Sequence, residues 1–142
     1  MEERYKLFTV LITDIFRSIK KLKTEEMSKY GLKSIHLSCL HYIYNEGAMS
    51  LKEVCDACRD DKANVSRSLR SLAEKGYLKN DPLHQNKFVL TESGIDLTVM
   101  LEKRIDDVIF EASRGLTDES RKAMYDGLDL ICDNLSNLCK NR

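Results

Sequence analysis

The residues from Asp61 to Gly76, D-K-A-N-V-S-R-S-L-R-S-L-A-E-K-G, hold the densest set of side chains here that could read another molecule. A helix starting after Asp61 places Val65, Leu69 and Leu72 at i, i+4 and i+7, which makes one apolar stripe. At 100° per residue, Ala63, Asn64, Arg67, Arg70 and Ser71 fall on the opposite face, and Lys62 and Ser66 complete the candidate set. Such an outer face suits a major-groove reader. Arg bonds guanine bidentately, Asn bonds adenine, and small residues let the backbone approach the bases. The plainer alternative is a solvated surface helix, where Arg and Ser are ordinary.

Other chemistry finds less support. Cys55 and Cys58 form C-x-x-C, but a structural zinc needs about four ligands and no second close Cys or His pair accompanies them. In L-K-E-V-C-D-A-C the pattern Leu51, Val54, Cys55, Cys58 is an apolar helix face on which Cys acts as a small hydrophobe. His36, Cys39 and His41 suit a metal or thiol sensor by type, yet Cys39 falls on an apolar stripe. The three His residues, at 36, 41 and 84, show no arrangement with a nucleophile, and Gly-rich phosphate loops, H-E-x-x-H and G-x-S-x-G are missing. We therefore expect no catalytic residues, no metal and no cofactor.

With 142 residues, 42% hydrophobic and 32% charged, the chain is long enough for one domain with a real core. A single Pro leaves long helices unbroken. No apolar run approaches the eighteen or so residues that cross a bilayer, and M-E-E-R-Y-K is not a signal peptide, so we expect a cytoplasmic protein without a membrane partner. Five cysteines in that setting read as thiols. Formal charge is zero but unevenly placed: residues 50 to 91 hold eight Lys/Arg against six Asp/Glu, whereas 92 to 142 hold seven against eleven. A mildly basic middle is left for phosphates.

The elements that would position the outer face follow from periodicity and punctuation. Residues 2 to 29 read as one helix, with Tyr5, Phe8, Ile12, Ile15, Ile19 and Leu22 in a heptad seam that Leu7, Leu11 and Phe16 widen. Tyr30-Gly31 ends it, and a second helix spans 34 to 45 with Ile35, Cys39, Leu40 and Ile43 inward. Ala48 to Ser50 is a lead-in, Ser50 caps a helix over 51 to 58, and Arg59-Asp60-Asp61 turns into the central helix. That is a helix-turn-helix. A strand from Tyr77, a polar turn over 80 to 86 and a strand over 87 to 90 form a wing, with His84 and Lys87 at its tip. A helix from Thr91 to about Ala112 buries Leu97, Leu101, Ile105, Val108 and Ile109. After Gly115, Thr117 caps a last helix in which Met124, Leu128, Ile131, Leu135 and Leu138 repeat at heptad spacing.

This order, together with M-S-L-K-E-V-C-D-A-C, A-N-V-S-R-S-L-R-S-L-A-E-K-G-Y-L and F-V-L-T-E-S-G, resembles the MarR family (multiple antibiotic resistance regulators) of winged-helix transcription factors over essentially the whole chain. The resemblance implies a mainly α fold with a small β-hairpin wing. It implies a single domain over 1–142, with dimerisation helices in 1–33 and 92–142 around a winged helix-turn-helix in 34–91. Cys55 and Cys58 fall where the family usually places core Ala and Leu. The family's Asp-x-Arg at the wing tip is replaced by P-L-H-Q-N-K, so the minor-groove contact would pass to Lys87 and His84.

By the same resemblance the protein is a homodimeric repressor of a palindromic operator on double-stranded DNA, released by a small-molecule or other signal. Its dimer interface would hold Tyr5, Phe8, Ile12 and Ile15 with Met124, Leu128, Ile131, Leu135 and Leu138. Two alternatives remain: a winged helix that has left DNA for a protein partner, and a metal- or thiol-sensing regulator. Oxidant-sensing relatives place a reactive Cys in the first helix, where this chain has none.

Overall fold

The first helix and the fifth each end just before a glycine of positive φ, Gly31 and Gly115, and the short elements between them are set by caps. The computed structural model describes residues 3–142, so the helix start expected at residue 2 lies outside the described residues. A continuous helix opens with a π-type segment, Tyr5–Thr9, and continues as α1, Val10–Ser28. Gly31, at φ +69°, ends it in the left-handed region that glycine enters without strain. Then come α2 (Ser34–Glu46), β1 (Met49–Ser50), α3 (Leu51–Cys58), α4 (Lys62–Glu74), β2 (Leu78–Asn80), β3 (Lys87–Leu90), α5 (Glu92–Ala112) and α6 (Asp118–Lys140). The fold is mainly helical with a winged helix-turn-helix, as expected.

The chain divides into two compact units, one ending at Ile105 and one comprising Asp106–Arg142. In the first, α2, α3 and α4 pack on one another, and the winged-helix core is dry: Leu40, Ile43, Val54, Val65 and Leu72 are 0% exposed. Each such side chain contributes about 1.5–3 kcal/mol through burial. Met27 of α1 and Leu97, Leu101 and Ile105 of α5 extend the core. The sheet has the order β1-β3-β2 and is antiparallel throughout, with Met49 opposite Phe88 and Leu78 opposite Leu90.

Three expectations need correction. Met49–Ser50 is a third strand and not a lead-in, because two residues carry no alternation and only their pairing with Lys87 and Phe88 makes them a strand. In α2, Cys39, Leu40 and Ile43 are buried as expected, but in the first turn His36 and Leu37 are buried and Ile35 only half-buried. Val108 is exposed and Ile109 half-buried, since the buried stripe of α5 ends at Ile105.

In the second unit, Thr117 accepts the Ser120 N–H at 3.1 Å and caps α6. Arg121 donates to Asp118 at 3.1 Å and lies 5.7 Å from the centroid of the Phe110 ring, a cation–π contact. No residue of α6 is buried.

Candidate nucleic-acid interface

Helix α4, the candidate reading helix, is set from both ends. On its N-terminal side, the Ser50 hydroxyl accepts the Glu53 N–H at 3.2 Å while Glu53 accepts the Ser50 N–H at 3.0 Å, a reciprocal cap for α3. These bonds from the Ser50 backbone and hydroxyl, with Lys87 nearby, hold the Glu53 carboxyl below its usual range. Arg59 turns the chain at φ +53°, and Asp61 then accepts the Asn64 N–H at 2.7 Å and caps α4.

At the C-terminal end Gly76 adopts φ +84°. The Thr91 hydroxyl donates to the Gly76 carbonyl at 2.6 Å, and Ser93 does so at 3.2 Å. A Cβ on Gly94 would lie 2.1 Å from the Tyr77 carbonyl oxygen, so T-E-S-G is the clasp that seats the start of α5 on the exit of α4. In the sequence T-E-S-G reads as a helix start; the need for glycine at 94 arises only from this close approach.

Val65, Ser68, Leu69 and Leu72 are buried, which turns the opposite face of α4 outward. Lys62, Ala63, Arg67 and Arg70 are exposed, and Ser66 and Ser71 half-buried. Lys62, Arg67 and Arg70 form no salt bridge with any described residue, whereas Lys29, Arg104, Arg114, Arg121 and Lys122 are all paired with carboxylates. Cations left without an internal counter-charge are available to an external anion. Asn64 differs from its neighbours: half-buried, it donates its amide to Asp60 at 3.0 Å.

Beside this face lies a groove of about 470 Å³ lined by Ser50, Leu51, Lys52, Cys55, Lys62 and Asn86. Lys52 and Asn86 were missed from the sequence. The one available signal was the position of Lys52 in the first turn of a capped, half-exposed helix.

The wing is tied inward. Asn80 donates to the Gln85 carbonyl at 2.8 Å, and Asp81 accepts the Leu83 N–H at 3.0 Å and faces His84 Nδ1 at 3.4 Å. The Leu83 N–H, then His84, hold the Asp81 carboxyl below its usual range. His84 is exposed near the tip, beside Leu83, which is 86% exposed. Lys87 is not at the tip as expected: it opens β3 opposite Ser50, with its ammonium 3.7 Å from Glu53, because the turn closes before it through the Lys87 N–H to the His84 carbonyl.

The other candidates for chemistry are occupied locally. His36 Nδ1 accepts the Lys33 N–H at 2.7 Å, and burial lowers the pKa of the ring. His41 contacts Glu102 through Nδ1 and Asn45 through Nε2. All five cysteines are free. The Cys58 thiol is lowered by its hydrogen bond from Cys39, whose own pKa that bond and burial raise; burial also raises Cys55. Among the described residues no three His, Cys, Asp or Glu side chains are grouped as metal ligands, and no helix is long and apolar enough to cross a membrane.

The MarR family pattern matches residues 30–85, from the end of the first helix to the wing. This segment belongs to the MarR family. Its match covers the helix-turn-helix, the reading helix and most of the wing. The fold likeness extends further. A MarR transcriptional regulator from Methanosarcina mazei Go1 superimposes with a TM-score of 0.84 at 18% identity, over 97% of this chain and 94% of that one. The reduced form of MarR from E. coli gives 0.72 at 18% identity, over 87% and 92%. MepR, a transcription regulator of the Staphylococcus aureus multidrug efflux pump MepA, gives 0.69 at 20% identity, over 90% and 98%. At these identities the likeness is one of fold. No curated protein matches the chain in sequence.

Proposed function

We propose that this MarR-type chain is a sequence-specific DNA-binding transcriptional regulator, acting in the cytoplasm as a homodimeric repressor of a palindromic operator and released by a small-molecule effector. It is not an enzyme in this reading. The observation that carries it is the outer face of α4: Lys62, Arg67 and Arg70 are solvent-facing and form no salt bridge among the described residues, on a helix whose other face is locked into a core. Arg67 and Arg70 are the base readers, with Ala63, Ser66 and Ser71 permitting close approach. Lys62 and Lys52, across the groove, hold phosphates and set the register. His84 reaches the backbone or minor groove from the wing, and Lys87 joins it on leaving Glu53.

The dimer is supported by unspent apolar surface. Tyr5 is 78% exposed, Ile15 53%, Leu135 48% and Leu138 56%; Phe8, Ile12 and Met124 are exposed too, Leu128 and Ile131 are half-buried, and all nine are the residues assigned to the interface. Apolar stripes of this length on a soluble chain are covered by a partner. Two-fold symmetry then presents two α4 helices to half-sites about one turn of DNA apart.

Selection of bound sequences from random duplex, followed by salt titration of the winner, tests this function. The expected result is an inverted repeat with affinity falling steeply with salt. A second reading, a winged helix that binds protein instead, is favoured by one feature: the wing tip offers exposed Leu83 where a DNA-binding wing offers a cation. No enriched sequence and no salt-dependent binding would favour it.

A further inference from the structure

Asp60 sets an acid in the turn that leads into a helix meant for DNA, where its charge opposes phosphate. The carboxylate is half-buried and both its oxygens are engaged: Oδ1 accepts the Asp61 N–H at 2.8 Å and Oδ2 accepts from Asn64 Nδ2 at 3.0 Å. It is not the helix cap, a role taken by Asp61. We infer that Asp60 is a positioning residue that holds the Asn64 amide in the orientation that reads adenine.

A carboxylate only accepts hydrogen bonds, so the Asn64 amide must turn its nitrogen, not its oxygen, toward Asp60. One N–H is thereby engaged. The second N–H and Oδ1 remain, and these are the donor and the acceptor that adenine N7 and N6–H require. The held orientation also excludes guanine. An unrestrained amide can swing its NH2 toward the two acceptors N7 and O6. An amide held by Asp60 instead sets Oδ1 against O6, acceptor against acceptor. The half-buried seat of Asn64 and the Asn64 carbonyl's bond from Ser68 at 2.8 Å keep its backbone fixed while this happens.

The inference rests on α4 being the DNA-reading helix, and the test separates the two. Sequences bound by the wild type are selected from random duplex, and affinities for the winner, for its adenine-to-guanine variant at each position, and for unrelated duplex are compared in wild type, Asp60→Ala, Asp60→Asn, Asn64→Ala and the Asp60→Ala/Asn64→Ala double variant. The wild type should prefer adenine to guanine by about tenfold or more at one position per half-site. Asp60→Ala should lose most of that preference while unrelated duplex binds as well or better, because a negative charge has left the interface. Asn64→Ala should lose the same preference, and the double variant no more. Asp60→Asn, which keeps one acceptor oxygen and disturbs the turn least, should retain part of it. Should Asp60→Ala keep the preference, or weaken operator and unrelated duplex in equal proportion, Asp60 is only a turn residue and the inference fails. A wild type that binds duplex with a steep salt slope but shows no such adenine overturns this inference alone; one that binds no duplex overturns the DNA reading with it.

Discussion

The winged-helix segment, on one hand, and the start of the first helix and α6, on the other, spend their apolar residues in opposite ways. Between α2 and β2, Leu40, Ile43, Val54, Val65 and Leu72 are completely covered by the chain itself. In the first helix Leu7, Leu11 and Phe16 are 61%, 58% and 63% exposed, and no residue of α6 is more than half-buried. The patterns look alike in sequence, apolar residues at helical spacing in both. The difference is that one stripe is fully covered and the other keeps much of its apolar surface exposed. The winged-helix segment is thus closed over by its own chain, while the start of the first helix and much of α6 keep apolar side chains in solvent.

The sharpest way to break this contrast is a charge in the uncovered stripe. Leu128→Glu should abolish the dimer and, with it, operator affinity, while the far-UV spectrum and the winged-helix core persist; sedimentation of the variant as a dimer would remove α6 from the interface. In the covered stripe, Leu72→Ala should leave dimer contacts intact but cost about 2–5 kcal/mol in denaturant unfolding, through lost burial and the cavity left behind. Arg67→Ala touches neither stripe. It should leave stability unchanged, weaken operator binding by about 1–3 kcal/mol per half-site and relax the base preference at one position, as read by competition with substituted operators. Unchanged preference would take Arg67 out of the reading face.

The smallest effect concerns pH and belongs to the covered region. His36 is neutral in the fold, with Nδ1 accepting a backbone N–H and burial lowering its pKa. The folded form therefore binds fewer protons than the unfolded one once pH falls below the ordinary histidine value of about 6.5. Its contribution to stability is complete above that value and is lost as pH drops toward the lowered one. Melting temperature should decline between about pH 7 and pH 5 in the wild type, and less in His36→Gln, whose amide oxygen still accepts the Lys33 N–H. Parallel curves for the two proteins would show that another group titrates there.

Local chemistry carried the element order into the sequence. Glycines at 31, 76 and 115 and the caps Ser50, Asp61 and Thr117 act within a few residues of themselves, so helix ends, the helix-turn-helix and the span of the reading helix were legible. The outward turn of Arg67 and Arg70 followed from the spacing of Val65, Leu69 and Leu72 alone. Distant pairings were not legible in that way. Met49–Ser50 is a strand only through Lys87 and Phe88, and Lys87 leaves the wing tip only because the turn closes ahead of it.

The sequence by itself determined which segments form helices, where they stop and which face of each is apolar, because propensity, capping and periodicity act over one or two turns. Only the tertiary structure decided what each apolar face meets and where each polar group points. Burial and hydrogen bonding depend on residues brought together from far apart, as when α5 closes on Gly76, or on the path of a turn, as when Asp60 takes the amide of Asn64.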